Sequence, residues 1–219
     1  MARREPVISF GWTSRADGDL AGDLGAGPAP GPVASAPRPW TWLHQVHGAD
    51  VVVVTRPGEH AGAAADGAVT AAPGCALAVR TADCVPVVLA GRSAVGVVHA
   101  GWQGLAAGIV ASTVVALRSL DAGPLVAHLG PCIRPGCYEF AGPELDLLVD
   151  RFGDRVRSVT TWGTAALDLP AAVGVALDEV GVTTVHDQAG CTACDRRWYS
   201  HRARGEPERI ATVAWLREP

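Results

Sequence analysis

The strongest constraint on the fold of this chain is a series of short apolar runs that are interrupted by glycine, proline and polar residues. The runs are mostly β-branched, which is typical of strands buried in a sheet. They cover residues 51–55, 76–80, 85–90, 94–98, 125–129, 182–185 and 210–216. The sequence therefore predicts a sheet structure built from several short strands.

Apolar residues at helical spacing occur between these strands, in residues 101–120, 143–151 and 169–180. Asp168 stands at the expected N-cap of the last helix, which has a proline in its first turn. Strands mixed with helices predict an α/β or α+β sandwich, a mixed sheet with flanking helices. Since no repeat or interdomain linker interrupts the pattern, residues 1–219 are predicted to form a single domain.

One long segment, residues 21–39, has a different composition, because it is almost entirely alanine, glycine and proline. Such a composition forms neither a continuous helix nor a packed strand. We therefore expect a flexible surface loop or a poorly ordered segment there.

Composition and charge narrow the class of protein. Hydrophobic residues make up 48% of the 219 residues and charged residues 18%, enough apolar surface for a globular core without disulfides. The net charge of -4, without long runs of lysine or arginine, argues against a nucleic-acid polymer as partner. The first residues lack the apolar run of a signal peptide or membrane span, so a cytoplasmic location with no membrane contact is predicted. In that compartment the six cysteines are expected to be thiols or metal ligands.

Three potential metal ligands stand at the edges of predicted strands. His47 precedes the strand at 51–55, Cys84 lies in a turn between two strands, and His99 ends a strand. Two imidazoles and a thiolate suit Zn²⁺, and three protein ligands leave a fourth position for water or substrate. The alternative is that each histidine is an ordinary hydrogen-bonded residue and the cysteine a small buried apolar one. His44 is a competing ligand.

The remaining cysteines allow two interpretations. Cys191 and Cys194 have the C-x2-C spacing of zinc knuckles and redox motifs, and Cys132 and Cys137 form a second, wider pair. A structural site with four thiolates is one possibility. Buried thiols near the active site are the other.

Four arginines are candidates for holding an anion, because a guanidinium matches phosphate or carboxylate oxygens in a bidentate way. They are Arg15, Arg202, Arg204 and Arg209. The alternative is that they are simply solvated. No G-x-G-x-x-G or P-loop motif is present, so neither a Rossmann nor a Walker site is predicted.

The order of short motifs along the chain resembles one known family. The motifs are QVHGADV, ADGAVT, TADCVPV, VVHAGWQG, LGPCIRPGCYEF and CT…WYSHR. They resemble the laccase-domain, polyphenol-oxidase-like family, whose members are regarded as purine nucleoside phosphorylases. The resemblance implies a single-domain α/β fold with zinc at His47, Cys84 and His99. Those three residues are then catalytic as well as metal-binding.

The resemblance also implies a substrate class: purine nucleosides and phosphate. Family members are described as phosphorolysing adenosine, inosine, guanosine or methylthioadenosine, and as deaminating adenosine. We take Arg15, Gln45, Arg202 and Arg209 as the candidate substrate-binding residues. Asp83, beside Cys84, is the candidate proton shuttle, and an equally weighted alternative is that it caps a turn or hydrogen-bonds to backbone.

The chain also departs from the family pattern. Gln103 and Ala203 stand where members usually have arginine, and residues 14–18 differ from the usual T-R-x-G-G. Fewer cations imply weaker phosphate binding or a shifted substrate preference, unless Arg204 substitutes for them.

Two other functions stay open. Older descriptions of the family as copper-dependent laccases imply a polyphenol oxidase, with copper in place of zinc. A non-catalytic or editing role in cell-wall (peptidoglycan) metabolism, in which the fold binds a peptide or a nucleotide-linked precursor, is the third hypothesis.

Overall fold

The computed structural model describes residues 6–22 and 31–217. Their strands are β1 (Val7–Trp12), β2 (Trp40–His44), β3 (Val51–Val53), β4 (Ala63–Ala64), β5 (Gly67–Thr70), β6 (Ala76–Thr81), β7 (Val85–Ala90), β8 (Val95–Ala100), β9 (Val126–Leu129), β10 (Arg157–Val159), β11 (Ala165–Leu167), β12 (Thr184–Asp187) and β13 (Ile210–Arg217). The helices are α1 (Trp102–Ala107), α2 (Ile109–Leu120), α3 (Pro143–Phe152), α4 (Leu169–Glu179) and α5 (His201–Arg204).

Two large sheets organise these elements. The first has five strands in the order β1-β13-β6-β2-β4, and the second has six in the order β12-β9-β7-β8-β5-β3. Each sheet contains both parallel and antiparallel pairs. A two-stranded ribbon, β10-β11, stands apart.

The layers follow from the two-residue period of the strands. In β6, Leu77 and Val79 point into the core between the two sheets, whereas Ala76 and Ala78 point to the other face of the five-stranded sheet. Since successive side chains of a strand face opposite sides, such a strand is buried on both faces. This explains why its sequence is a continuous apolar run.

Helices α1 to α4 cover the outer face of the six-stranded sheet. Leu117 of α2, Leu148 of α3 and Val173 of α4 belong to one apolar core with Val87 of β7 and Val98 of β8. The predicted mixed sheet with flanking helices is therefore confirmed. The expected N-cap of α4 is also present, because the Asp168 carboxylate accepts the backbone N–H of Ala171 at 2.9 Å.

Some elements differ from the sequence prediction. The single helix expected over 101–120 is divided at Gly108, whose φ of 91° ends α1. Strands β1, β2, β4, β5, β10 and β11 were not predicted. Strands β1 and β2 mix aromatic, polar and apolar residues, β5 begins with glycine and alanine, and the other three have only two or three residues. Their strand state depends on neighbours that lie far away in the sequence.

The alanine-, glycine- and proline-rich segment is partly packed. Val33 and Ala36 are buried and contact the core on the outer face of the five-stranded sheet, beside Trp40. Residues 23–30 of this segment lie outside the described residues. The predicted flexibility of the loop stays a prediction.

Candidate metal centre

The three predicted metal ligands lie together at one rim of the two sheets. His47 lies in the connection from β2 to β3 and Cys84 in the connection from β6 to β7, and both connections pass from the five-stranded to the six-stranded sheet. His99 lies near the end of β8. One ligand atom from each residue lies within 4.8 Å of the other two. The centre therefore forms where the chain repeatedly crosses between the sheets.

The distances within this cluster suit a shared ion. The Cys84 Sγ lies 3.9 Å from the His47 Nε2, and the His47 and His99 rings are 4.7 Å apart between centroids. Zn–N and Zn–S bonds of roughly 2.0–2.3 Å place ligand atoms at about such separations around one ion. The donor set, two imidazoles and one thiolate, fits a transition metal with one open coordination position.

Asp66 is a functional residue that sequence reasoning missed. It is fully buried, and its Oδ1 lies 2.7 Å from the Nδ1 of His99. This contact directs the Nε2 of His99 toward the cluster, as the carboxylate partner of a metal-bound histidine does. The detectable signal was an aspartate inside the otherwise apolar and small ADGAVT run.

The same carboxylate also shapes the loop of His47. The oxygens of Asp66 accept the backbone N–H groups of Val46, His47 and Gly48 at 3.1, 3.0 and 2.8 Å. These bonds hold His47 at a φ of 58°, in the left-handed region that is unusual for a residue other than glycine. Asp66 thus orients one ligand through its ring and another through its backbone.

The charges of the cluster reinforce each other. Burial opposes ionisation of Cys84, but the charge of His99 and hydrogen bonds with both histidines outweigh it and lower the pKa of this thiol. Burial likewise opposes protonation of His99, yet Cys84 and Asp66 raise its pKa. The thiolate of Cys84 is the form that binds metal, whereas the proton that Cys84 and Asp66 favour on His99 must leave when an ion takes its place.

Gly101 leaves the space that the ligands need. A Cβ at this position would lie 2.8 Å from the Cδ2 of His47 and 3.1 Å from the Sγ of Cys84. Gly101→Ala is therefore expected to weaken metal binding, since a methyl group forced into filled space costs about 1–3 kcal/mol. Competition with a chelator measures the loss.

The matched control for this variant is Gly174→Ala in α4, where an added Cβ meets nothing within 4 Å. The φ of Gly101 is -83°, so alanine there introduces no backbone strain, and any effect is steric. Equal metal affinity in the two variants would contradict the proposed role of Gly101.

The cluster opens into a cavity of about 510 Å³. Of the predicted substrate-binding residues, Gln45 and Arg209 line it. The side chain of Gln45, directly after β2, is also hydrogen-bonded to the backbone of Arg80, at 2.7 and 2.8 Å, so it continues the pairing of β2 with β6. His44, which the sequence offered as a competing metal ligand, also lines the cavity, as do Arg80 and His201, which had not been predicted as site residues.

The other two predicted substrate arginines do not line this cavity. Arg15 pairs with Glu206 at 2.6 Å and lies over the ring of Tyr199. Arg202 lines a different cavity and donates to the backbone oxygen of Glu139 at 2.7 Å. The structure thus separates residues that the sequence grouped together.

The two positions at which this chain lacks a usual family arginine, Gln103 and Ala203, do not line the cavity of the metal centre. Gln103 is exposed on α1, and Ala203 lines the same cavity as Arg202. Arg204 donates to the carbonyl oxygens of Ala193, Thr192 and Trp198 at 2.7, 3.1 and 2.8 Å. Its guanidinium is thus used to hold the backbone of the segment before α5.

Asp83 anchors the segment that follows Cys191. Its Oδ1 accepts the hydroxyls of Thr192 and Ser200 at 2.6 and 2.7 Å, and its Oδ2 accepts the backbone N–H of Arg202 at 2.7 Å. Both carboxylate oxygens are therefore used for structure, which favours the backbone-bonding alternative over a proton shuttle. The anchor fixes the backbone next to Cys84.

Comparison with known proteins identifies the family of the chain. Residues 32–217 match the family described as multi-copper polyphenol oxidoreductase laccase. The chain belongs to this laccase family. The resemblance inferred from the motifs is thereby confirmed.

Named relatives of this laccase-family chain come from several bacteria. A purine nucleoside phosphorylase of Streptomyces coelicolor is 41% identical over 80% of this chain and 74% of its own length. One of Streptomyces griseus is 42% identical over 80% of this chain and 73% of its own. Among solved structures, YlmD from Geobacillus stearothermophilus has a TM-score of 0.79 at 26% identity, covering 100% of this chain and 98% of the other.

The laccase-family fold shows no candidate for a membrane span. Among the helices of residues 6–22 and 31–217, none combines the length and the apolar character that crossing a bilayer requires.

Proposed function

We propose that this chain is a zinc-dependent purine nucleoside phosphorylase with adenosine deaminase side activity. The observation that carries the proposal is one cavity that joins the open side of the His47, Cys84 and His99 cluster to the guanidinium groups of Arg80 and Arg209. Relatives at 41% and 42% identity are named purine nucleoside phosphorylase. The proposed substrates are adenosine, inosine, guanosine or methylthioadenosine with phosphate, and the proposed location is the cytoplasm.

Phosphorolysis breaks the bond between the purine nitrogen and C1′ of the ribose, and forms a bond from C1′ to a phosphate oxygen. The products are the free base and ribose 1-phosphate, and the departing base must take up a proton. The site therefore needs cations for the phosphate and a proton donor near the purine.

Arg209 is our assignment for holding the phosphate. Its hydrogen bonds to the carbonyl oxygens of Glu206, Pro207 and Glu208 all involve Nη1, at 3.1, 2.7 and 2.9 Å. Within the described parts of the chain, its Nε and Nη2 have no hydrogen-bond partner. A guanidinium that faces a cavity with such donors suits a phosphate dianion.

Arg80 adds a second positive charge beside Arg209. Burial lowers the pKa of Arg80, and the nearby charge of Arg209 lowers it further. A phosphate between the two guanidinium groups would relieve this repulsion. The imidazoles of His44 and His201 line the same cavity and are our candidates for moving the proton to the departing base.

The metal, when bound, supplies a Lewis acid and lowers the pKa of a bound water toward about 7, which suits the deaminase side activity. His47, Cys84 and His99 would hold it. Asp66 orients two of these ligands, and Asp83 positions the backbone beside the third. We assign both aspartates a positioning role.

Arg209→Gln is expected to raise the KM for phosphate by about tenfold to a hundredfold, as the loss of a hydrogen bond to a charged group does. The KM for the nucleoside should change little, because the proposed role of Arg209 is to hold the phosphate alone. Initial rates at varied phosphate measure this. Arg151→Gln is the control, since this exposed arginine pairs with Glu179 at 2.8 Å on the helical side. Equal KM values for phosphate would rule out the assignment.

The experiment that tests the function is chromatography of products from adenosine and inosine, with and without phosphate, after the metal content of the protein has been measured. Phosphate-dependent release of free base supports the phosphorylase, and inosine formed from adenosine supports the deaminase. If neither free base nor inosine forms, the proposal is overturned. A binding role, such as peptidoglycan editing, then becomes the next hypothesis.

The family description favours a second candidate, a copper-dependent polyphenol oxidase. Laccase chemistry uses several coppers bound largely by histidine. Among the described residues, only one of the two clusters of potential ligands contains histidine. Dioxygen uptake with a phenol by the copper-loaded protein, and none by the zinc-loaded protein, would favour this candidate.

A further inference from the structure

A second cluster of potential metal ligands shares no residue with the first and consists of cysteines alone. The sulfur atoms of Cys137, Cys191 and Cys194 lie within 4.8 Å of one another. The Sγ atoms of Cys137 and Cys194 are 3.6 Å apart, and all three thiols are free. Cys137 lies more than fifty positions before Cys191 and Cys194 in the sequence, yet the fold brings the three sulfur atoms together.

The loop that carries two of these cysteines has the geometry of a metal knuckle. Burial opposes ionisation of Cys191, but the nearby backbone N–H groups of Cys194, Arg134 and Ala193 outweigh it and lower the pKa of this thiol. The pKa of Cys137 is raised, mainly by burial, and that of Cys194 is raised, mainly by its contact with Cys191. The turn is closed by a bond of 2.9 Å from the N–H of Asp195 to the oxygen of Cys191. N–H groups directed at a sulfur stabilise its anionic form, which is the form that ligates a metal.

Neighbouring contacts hold the two cysteine segments in register. The N–H of Cys132 donates to the oxygen of Gly190 at 3.2 Å, and the N–H of Thr192 donates to the oxygen of Cys132 at 3.0 Å. Cys137 ends a 3₁₀ turn whose first residue is Pro135. The cluster is therefore fixed by the backbone and does not depend on long, flexible side chains.

The cluster also has an open side. A cavity of about 570 Å³ is lined by Cys137 and Cys194, together with Glu139, Trp162 and Arg202. Two of the three sulfurs, those of Cys137 and Cys194, thus lie at the wall of a cavity that has room for water as a fourth ligand, so the tetrahedral geometry of Zn²⁺ can be completed.

We propose that Cys137, Cys191 and Cys194 form a second metal site that binds Zn²⁺ through three thiolates, with water from the cavity as the fourth ligand. Thiolates select zinc and other soft ions over magnesium or calcium. Binding forms three S–Zn bonds, and any proton still held by a thiol passes to solvent. The ion ties the segment of Cys137 to the segment that Asp83 anchors beside Cys84. This proposal is independent of the proposed function.

The test is the zinc content of protein purified with zinc and a thiol reductant, followed by elemental mass spectrometry after gel filtration. Wild type is expected to hold two zinc ions per chain, and Cys194→Ser and Cys84→Ala are each expected to lose one. Cys132→Ala, which removes a buried neighbouring thiol outside the cluster, is the control and should keep both. Equal zinc in wild type and Cys194→Ser would overturn the proposal.

A spectroscopic measurement covers the case in which Cys194→Ser fails to fold. Cobalt-loaded Cys84→Ala lacks the thiolate of the first site, so a sulfur-to-cobalt charge-transfer band in this variant must come from the second. We expect the band to be present in Cys84→Ala and absent in Cys84→Ala combined with Cys137→Ser. Its absence from Cys84→Ala, or a Cys137–Cys194 disulfide in peptide maps of the reduced preparation, would refute the site.

Discussion

Cys84→Ala is expected to abolish phosphate-dependent release of base and to remove the metal from the His47 and His99 cluster. Cys84 contributes the thiolate of this centre and lies in the connection from β6 to β7. Without it, two imidazoles remain, too few to hold the ion against solvent. The loss of affinity should exceed the roughly 10–100-fold change that follows when only an outer partner is removed.

The measurement combines metal content with product chromatography. Cys75→Ala is the matched control, because Cys75 is a buried thiol in the core between the two sheets, outside both ligand clusters. Cys75→Ala should keep metal and activity, although a smaller side chain in the core lowers the unfolding free energy. Full activity in Cys84→Ala would show that base release does not depend on this centre.

Asp66→Asn is expected to lower metal affinity by about 10–100-fold, as the loss of an outer-shell carboxylate typically does. The substitution removes the negative charge that pairs with His99 at 2.7 Å. It also replaces one of two acceptor oxygens with an amide NH₂, although the backbone N–H groups of Val46, His47 and Gly48 all need acceptors. Two ligands are therefore disturbed by one change.

The same variant should also be less stable without metal. Breaking a buried ion pair by removing one partner typically costs about 3–5 kcal/mol. Denaturant unfolding of the metal-free protein measures this, and chelator competition measures the affinity. Asp50→Asn is the control, because this carboxylate is exposed in the same loop region. A stability equal to that of Asp50→Asn would mean that the Asp66 carboxylate does not support the centre.

The sequence and the structure agree most closely where the signal is local. The apolar runs at 76–80, 85–90 and 94–98 correspond to β6, β7 and β8, and Asp168 caps α4 as its position indicated. Burial on both faces makes such strands apolar throughout, so that neighbouring residues are sufficient to recognise them. The helix expected over 101–120 was less well predicted, because the positive φ of Gly108 divides it.

The contacts between site residues could not be predicted from neighbouring residues in the sequence. Asp66 lies in a run of small and apolar residues, and nothing near it in the sequence indicates a partner. Its position directly before β5 places it beside His99, since Gly67 pairs with Val98 and the N–H of His99 donates to the oxygen of Asp66 at 2.8 Å. Arg15 and Arg202 resembled Arg209 as cations, yet only Arg209 lines the cavity of the metal centre.

By itself, the sequence determined the mixed α/β class, the main buried strands and the three residues that could ligate a metal. The fold class and the strands follow from the spacing of apolar side chains, and the metal ligands from the donor atoms of histidine and cysteine. Both can be recognised from short stretches of sequence. The tertiary structure decided which residues meet. His47, Asp66 and Cys84 come together because the chain crosses between the two sheets at each of them, and such crossings are set by long-range strand pairing.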